Sequence, residues 1–158
     1  MLAFFYARSG RFGYFLGVSS PAKTLLMTKG NIDLGLLVLR LWFGLEMALA
    51  HGLPKLLKIF AGDFGFADPL GLGSATSLVL ATFGEFICGL LIAAGFFTRL
   101  STVPYIITML VAAFITHGSD GWGKMSFPLM YAVAGIVLFI TGPGRYSLDQ
   151  KLFVKTYG

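Results

Sequence analysis

Three ionisable side chains lie inside long apolar stretches of this sequence, where they could bind a ligand or carry a proton. Arg40 and Glu46 interrupt the apolar stretch 34–50, and Glu85 is the single charge within 75–97. A charged side chain at the centre of a membrane helix costs at least about 2.5 kcal/mol, so each of these residues is a candidate functional group. The alternative is a buried polar network that only fixes how the helices pack.

The position of Glu85 on its helix indicates which way its carboxylate points. Glu85 shares a helical face with Ala81 and Gly89, and so small a face suits contact with another helix better than contact with lipid. Inside a bundle an unpaired charge is costly, and Arg40 lies at a depth that differs by only ~9 Å. We therefore predict that Glu85 contacts Arg40 directly or through water. Glu46 is turned roughly 120° from Arg40 and is expected to face a partner subunit.

Four further polar residues are predicted to lie at the rims of the helices: His51, Lys55, Arg99 and His117. The two histidines fall at helix ends on the same side, as a haem or metal ligand pair would. A histidine in that position is more often an interfacial hydrogen-bonding group, so we expect neither haem nor a metal site. Common cofactor motifs are also absent from the sequence, and the single Cys88 is expected to be a packing residue.

The composition indicates that lipid is the solvent for much of the chain. Of the 158 residues, 56% are hydrophobic and 12% are charged, and the mean hydropathy is +0.82. A soluble domain is nearer half apolar and a quarter charged. The net charge of +5 comes from scattered basic residues, without a basic helix, so we predict a lipid bilayer as the partner and no nucleic acid.

Four apolar stretches approach the ~20 residues that a membrane-spanning helix needs. They are residues 34–50, 75–97, 100–116 and 125–142. We predict an all-α fold, an integral membrane four-helix bundle with antiparallel neighbours. The link at Thr98 and Arg99 is short enough to force a helical hairpin. Residues 52–74 are predicted to form an interfacial turn and then a loop over one mouth of the bundle, because apolar Phe60, Phe64, Phe66 and Leu70 would be costly to leave in water.

The chain is predicted to have three parts: an N-terminal segment (1–30), a four-span membrane domain (31–149) and a cytoplasmic tail (150–158). The first segment is read as an interfacial helix, or as residues that precede a true start at Met27. With four spans, eight basic residues fall on the side of the termini and three on the other. The positive-inside rule then places both termini in the cytoplasm of a bacterium, with the protein in its inner membrane.

Several sequence fragments, taken in order, resemble the DoxX family. They are Arg40 followed by HGLPKL (51–56), Glu85 followed by GFFTRL (95–100), His117, and GPGRYSLD (142–149). The resemblance covers about 34–149. The chain departs from the family pattern at Ser126, near the place where members often carry an acidic residue before the last span. Chemistry that requires that carboxylate is therefore not expected here.

The resemblance implies a four-span inner-membrane protein, and some DoxX-like proteins are subunits of a membrane thiosulfate:quinone oxidoreductase or associate with redox-defence enzymes. This favours a redox-associated subunit that handles quinone or a sulfur compound, with a membrane or periplasmic redox protein as partner. Its polar site would then consist of Arg40, Glu85, Arg99 and His117. The lack of a redox-cofactor motif favours the alternative, a non-enzymatic scaffold, assembly factor or small transporter. The sequence alone leaves open whether the protein is an enzyme.

Overall fold

The computed structural model describes residues 29–153, and every regular element in that range is helical. Three of the helices are interrupted by a π-helical segment, in which the turns are wider than in an α-helix. In chain order the elements are α1 (Lys29–Glu46), π1 (Met47–Gly52), α2 (Leu53–Phe60), α3 (Ser74–Thr82), π2 (Phe83–Ile87), α4 (Cys88–Ala94), α5 (Thr98–Val111), π3 (Ala112–Thr116), α6 (Trp122–Thr141) and α7 (Leu148–Phe153). The predicted all-α fold is confirmed for this part of the chain.

Three continuous helices in the described range are long and apolar enough to cross a membrane: Ser74–Ala94, Thr98–Thr116 and Trp122–Thr141. They correspond to the last three predicted spans, with ends that differ by a few residues. The helix formed by α1, π1 and α2 contains the first predicted span and is not among the three. A fourth span, and with it the four-helix bundle, therefore stays a prediction.

The first helix is longer than predicted, because it continues through π1 and α2 to Phe60 instead of ending near residue 50. Pro54 lies directly after π1, and the helix continues through it to Phe60. Residues 52–74 were predicted as an interfacial turn followed by a loop. The turn was wrong, because the chain is helical as far as Phe60. The non-helical loop is restricted to residues 61–73.

Backbone contact between small residues fixes the crossing of the first and second helices. A Cβ atom on Gly44 would lie 2.7 Å from the carbonyl oxygen of Gly89, and one on Gly52 would lie 2.6 Å from the backbone of Phe86. Two helices can approach this closely only where side chains are absent. The crossing aligns π1 with π2 and so sets the positions of the side chains described below.

One end of the bundle, which we call the hairpin end, is closed by a network around the turn at residues 95–97. Gly95 and Phe97 both adopt left-handed backbone angles there, with φ of 70° and 47°. The carboxylate of Asp149 accepts hydrogen bonds from the backbone N–H groups of Phe97 (2.7 Å) and Thr98 (2.9 Å) and so caps the start of α5. The predicted short link is present, but it precedes Thr98 instead of containing it.

The predictions for the N-terminal segment, including the start at Met27, lie outside the described residues. The same holds for the last five residues of the predicted tail.

Candidate functional site

At the opposite end of the bundle, which we call the cavity end, the helices enclose a cavity of about 540 Å³. This volume is within the range of small-molecule sites. The lining combines a few charged and hydroxyl groups with apolar and aromatic side chains: Met47, His51, Lys55, Phe66, Ala67, Pro69, Glu85, Met109, Ala112, Thr116, His117, Gly123, Lys124, Phe127, Pro128 and Tyr131. A polar ligand head group would find both hydrogen-bonding partners and an apolar wall here.

An ion pair between Lys55 and Glu85 is the most buried charged group in this lining. Lys55 Nζ lies 2.5 Å from Glu85 Oε2, and the side chains are 19% and 8% exposed. Lys55 Nζ also donates to the carbonyl oxygen of His51 at 3.2 Å. The pair forms because the crossing at Gly52 brings π1 against π2, and Lys55 follows π1 by one turn. Both side chains line the cavity, and each charge is compensated by the opposite charge of the other.

Glu46, His51 and Tyr131 form a second polar group, of which His51 and Tyr131 line the same cavity. The hydroxyl of Tyr131 donates a hydrogen bond to Glu46 Oε2, and His51 Nε2 lies 3.7 Å from Glu46 Oε1. Glu46 and His51 are five residues apart and would lie ~140° apart on an α-helix. The π1 segment, whose hydrogen bonds join residues five apart, places them on one face. Glu46 thus has partners within the chain, and because its side chain is 30% exposed, a contact with a partner subunit stays a prediction.

His117, Asp120 and Lys124 lie at the outer rim of the cavity. His117 Nδ1 lies 2.9 Å from Asp120 Oδ2, and Lys124 Nζ lies 3.4 Å from the same oxygen. The hydrogen bond with His117, and then the charge of Lys124, hold the pKa of Asp120 below its usual value. His117 is thus where it was predicted, at a helix end on the same side as His51.

Arg40 is not part of this cavity, and the predicted contact between Arg40 and Glu85 was wrong. The Arg40 side chain is fully buried near the hairpin end, where its guanidinium donates to the carbonyl oxygens of Ala93 (3.0 Å), Ile92 (3.4 Å) and Tyr146 (2.6 Å). The first two belong to the last turn of α4, whose carbonyls carry partial negative charge, and the Ile92 carbonyl also accepts a hydrogen bond from the Gly95 N–H at 3.0 Å. Arg40 therefore closes a helix end, and Glu85 pairs with Lys55 instead.

Arg99 also lies away from the cavity. Its guanidinium donates to the carbonyl oxygen of Ile140, close to the end of α6, at 3.3 Å. The predicted polar residues thus separate into two groups. Glu46, His51, Lys55, Glu85 and His117 gather at the cavity end, and both arginines support helix ends at the other.

Each π-helical segment contributes directly to the cavity. Met47 and His51 come from π1, Glu85 from π2, and Ala112 and Thr116 from π3. Such segments are rare in proteins and occur frequently at functional sites, because they re-aim side chains at the expense of regular hydrogen bonding. Three of them around one cavity distinguish this end of the bundle from the hairpin end.

The loop at residues 61–73 covers one side of the cavity, as predicted. Phe66, Ala67 and Pro69 contribute to the lining. The expectation that Phe60, Phe64, Phe66 and Leu70 would all be covered was wrong. Phe60, which belongs to α2, is 78% exposed, and Phe64 and Leu70 of the loop are 43% and 49% exposed.

Tyr131 and Phe127 were not predicted as site residues. They lie one turn apart on α6, and their ring centroids are 5.2 Å apart. The signal that could have identified Tyr131 is its hydroxyl, the one phenol within an otherwise apolar stretch that needs a hydrogen-bonding partner.

The profile of the DoxX family matches residues 35–118 of the chain. The chain belongs to the DoxX family. The matched region contains the Lys55–Glu85 pair, both rim histidines and all three π segments, whereas Tyr131 lies beyond it.

Relatives of this DoxX protein are themselves membrane proteins. It is 31% identical to the inner membrane protein YqjF of Escherichia coli over 128 residues, which cover 78% of this chain and 95% of the relative. It is 30% identical to an uncharacterized membrane protein of Mycobacterium tuberculosis over 129 residues, 72% of this chain and 78% of the relative. No solved structure matches the chain. The chain is therefore a DoxX-type membrane protein.

Proposed function

We propose that this DoxX protein binds a quinone head group in the cavity and serves as a redox-associated subunit of the inner membrane. The observation that carries the proposal is the cavity lining, in which an ammonium group, an imidazole and a phenol lie between aromatic side chains. A quinone ring presents two carbonyl oxygens that accept hydrogen bonds and a flat face that packs on aromatic rings. The lining supplies donors and rings of the required kinds.

The protein's own groups would bind the ring and move protons. Lys55 and His51 are among the donors that line the cavity, and Glu85 accepts a hydrogen bond from the Lys55 ammonium. The contact between Tyr131 and Glu46, with His51 beside them, forms a short path along which a proton can pass between the cavity and a carboxylate. A bound quinone would supply two-electron, two-proton redox chemistry, with electrons from a membrane or periplasmic redox protein.

Binding of a tail-less benzoquinone to the purified full-length protein tests the proposal, with quenching of tryptophan fluorescence as the readout. Wild type is expected to bind saturably, and Lys55→Met is expected to lose binding because the donor nearest Glu85 is removed. Lys58→Met is the matched control, since Lys58 lies on the same helix but pairs with Asp63 outside the cavity. Equal binding by both variants, or no saturable binding by wild type, would overturn the proposal.

The alternative function is a non-enzymatic scaffold, assembly factor or small transporter. An exposed apolar face on the first helix, formed by Val38, Trp42 and Leu49, favours a scaffold, because it leaves a surface for lipid or another membrane helix. Organic extraction of the purified protein, followed by chromatography of the extract for quinone, distinguishes the two hypotheses. Co-purified quinone in wild type, reduced in Lys55→Met, supports the redox proposal, and its absence in both supports the alternative.

A further inference from the structure

A second cavity, of about 300 Å³, lies between α3 and α5. Apart from Ser77 and Thr108, the lining that it does not share with the first cavity is apolar: Leu70, Leu72, Leu80, Ala81, Phe83, Pro104, Ile107 and Val111. We call it the lateral crevice, because it lies between two helices that are apolar enough to cross the membrane.

The outer lining of the lateral crevice faces away from the protein interior. Leu80 is 50% exposed, Phe83 is 47% exposed and Ile107 is 56% exposed. Apolar side chains exposed at mid-length on membrane helices face hydrocarbon. The crevice is therefore accessible from the bilayer.

The lateral crevice and the polar cavity share one set of lining residues: Phe66, Pro69, Glu85, Ala112 and Thr116. Glu85 thus stands at the junction of the two spaces, with the Lys55 charge on its polar side. A single molecule that occupies both spaces would place a polar group next to this ion pair and an apolar group between the helices.

The crevice has an end where the helices touch. A Cβ atom on Gly84 would lie 2.2 Å from Thr108 Oγ1 and 3.3 Å from the carbonyl oxygen of Pro104. α5 and π2 are therefore in close contact at Gly84. This contact bounds the crevice on one side, and its volume of about 300 Å³ suits one apolar chain.

We infer that the ligand of this protein is an amphiphile with a single apolar tail, which enters from the bilayer with its head group in the polar cavity and its tail in the lateral crevice. The inference rests on the proposed function, because it assigns a tail to the quinone head group proposed there. It adds the route of entry and the chemical class of the whole ligand.

Photolabelling locates the tail. The probe is a benzoquinone with an alkyl chain that carries a diazirine, added to the protein in lipid nanodiscs. On illumination we expect labelled peptides from α3 and α5 around Leu80 and Ile107. An excess of tail-less benzoquinone should remove this label, since both molecules compete for the polar cavity.

Two variants of α3 provide the matched comparison. Ala81→Phe places a ring in the crevice and should lose the label, whereas binding of tail-less benzoquinone is retained. Val79→Phe lies on the same helix, is 48% exposed and lines neither cavity, so it should keep both. Cys88 is buried, so in a folded variant it should react with a thiol reagent only on heating. This reaction shows whether both variants are folded.

The outcomes separate the two claims. If tail-less benzoquinone binds in a Lys55-dependent way but the label falls elsewhere, or survives in Ala81→Phe, the crevice assignment is wrong and the proposed function stands. If the label in the crevice is insensitive to the tail-less competitor, the crevice holds an ordinary lipid tail and the inference is overturned. If the tail-less compound does not bind to wild type, both claims fall.

Discussion

Among single residues, removal of Lys55 should lower the stability of the protein most. Among the described residues, Glu85 has no other cation within salt-bridge distance. Removal of one partner from a buried ion pair typically costs about 3–5 kcal/mol, since the remaining charge is left without compensation. The side chain of Glu85, 8% exposed, has little access to water that could replace Lys55.

We expect Lys55→Met to lower the midpoint of thermal unfolding clearly, whereas Lys58→Met changes it little. The Lys58–Asp63 pair is 3.2 Å long but about half exposed on both sides, and such pairs contribute about 1 kcal/mol or less. The reaction of Cys88, the single and fully buried cysteine, with a fluorogenic maleimide reports unfolding directly. Equal shifts in the two variants would contradict a structural role for the pair.

For single residues, the sequence identified which charged side chains are candidates for the site, but it did not predict which of them form contacts with each other. The pairing of Arg40 with Glu85 was inferred from depth alone, and it failed because backbone carbonyls at the end of α4 satisfy Arg40. Lys55 was placed at the rim because the first helix was expected to stop before it. Carbonyl partners and helix length depend on the crossing of helices, which charge spacing in one chain does not encode.

At the level of the helices, the N-termini of α3 and α5 are capped by carboxylates from outside the helix, and not by their own N-cap residues. Asp149, which lies in α7, accepts a hydrogen bond from the N–H at the start of α5. Asp68, which lies in the covering loop, accepts one from the N–H of Gly73 at the start of α3. Neither α3 nor α5 has a side-chain hydrogen bond from its own N-cap residue. The helix bounds could be predicted from the apolar stretches, whereas these capping partners could not, because they are set by tertiary structure.

We expect Asp149→Ala to destabilise the protein by ~1 kcal/mol, the usual value for loss of an N-cap, and to loosen the turn at residues 95–97. Hydrogen exchange of the Phe97 and Thr98 amides, which donate to this carboxylate, should become faster. Amides at the start of α6 are the internal control and should not change. A uniform increase along the chain would indicate global destabilisation instead.

Asp68 should make stability depend on pH in the acid range. Hydrogen bonds from the Ser77 hydroxyl and the Gly73 N–H hold the pKa of its carboxyl below the ordinary value. Folding therefore favours the charged form, so the contribution is complete above the unfolded pKa of about 3.9 and is lost as the pH falls through the lower folded pKa. In unfolding measurements at pH 7 and in acid, Asp68→Asn should lose less stability on acidification than wild type. An identical loss would exclude this role.

For the whole molecule, the polar groups of the first helix decide whether it can be a fourth span. Arg40 is fully buried and bound to carbonyl groups, and Glu46 accepts a hydrogen bond from Tyr131. Partners of this kind reduce the cost of charged residues in a membrane helix. We therefore propose four spans with both termini in the cytoplasm, as the distribution of basic residues predicts.

Labelling of single cysteines by a membrane-impermeant maleimide, in a Cys88→Ser background, tests this topology. Gly65→Cys in the covering loop should react from the periplasmic side. Lys29→Cys and Lys151→Cys should react only after the membrane is opened. If Lys29→Cys reacts together with Gly65→Cys, the first helix does not cross and three spans remain.

The π1 segment also has a consequence for insertions and deletions. A π turn is an α-helix that accommodates one additional residue, so removal of a single residue from 47–52 can restore a regular helix without breaking it. The fold would survive a deletion between Glu46 and His51, and these two residues, then four apart on a regular α-helix, would still lie on one face. Relatives that lack one residue here should therefore keep both the bundle and this pair, so a single-residue gap inside this helix is compatible with the same site.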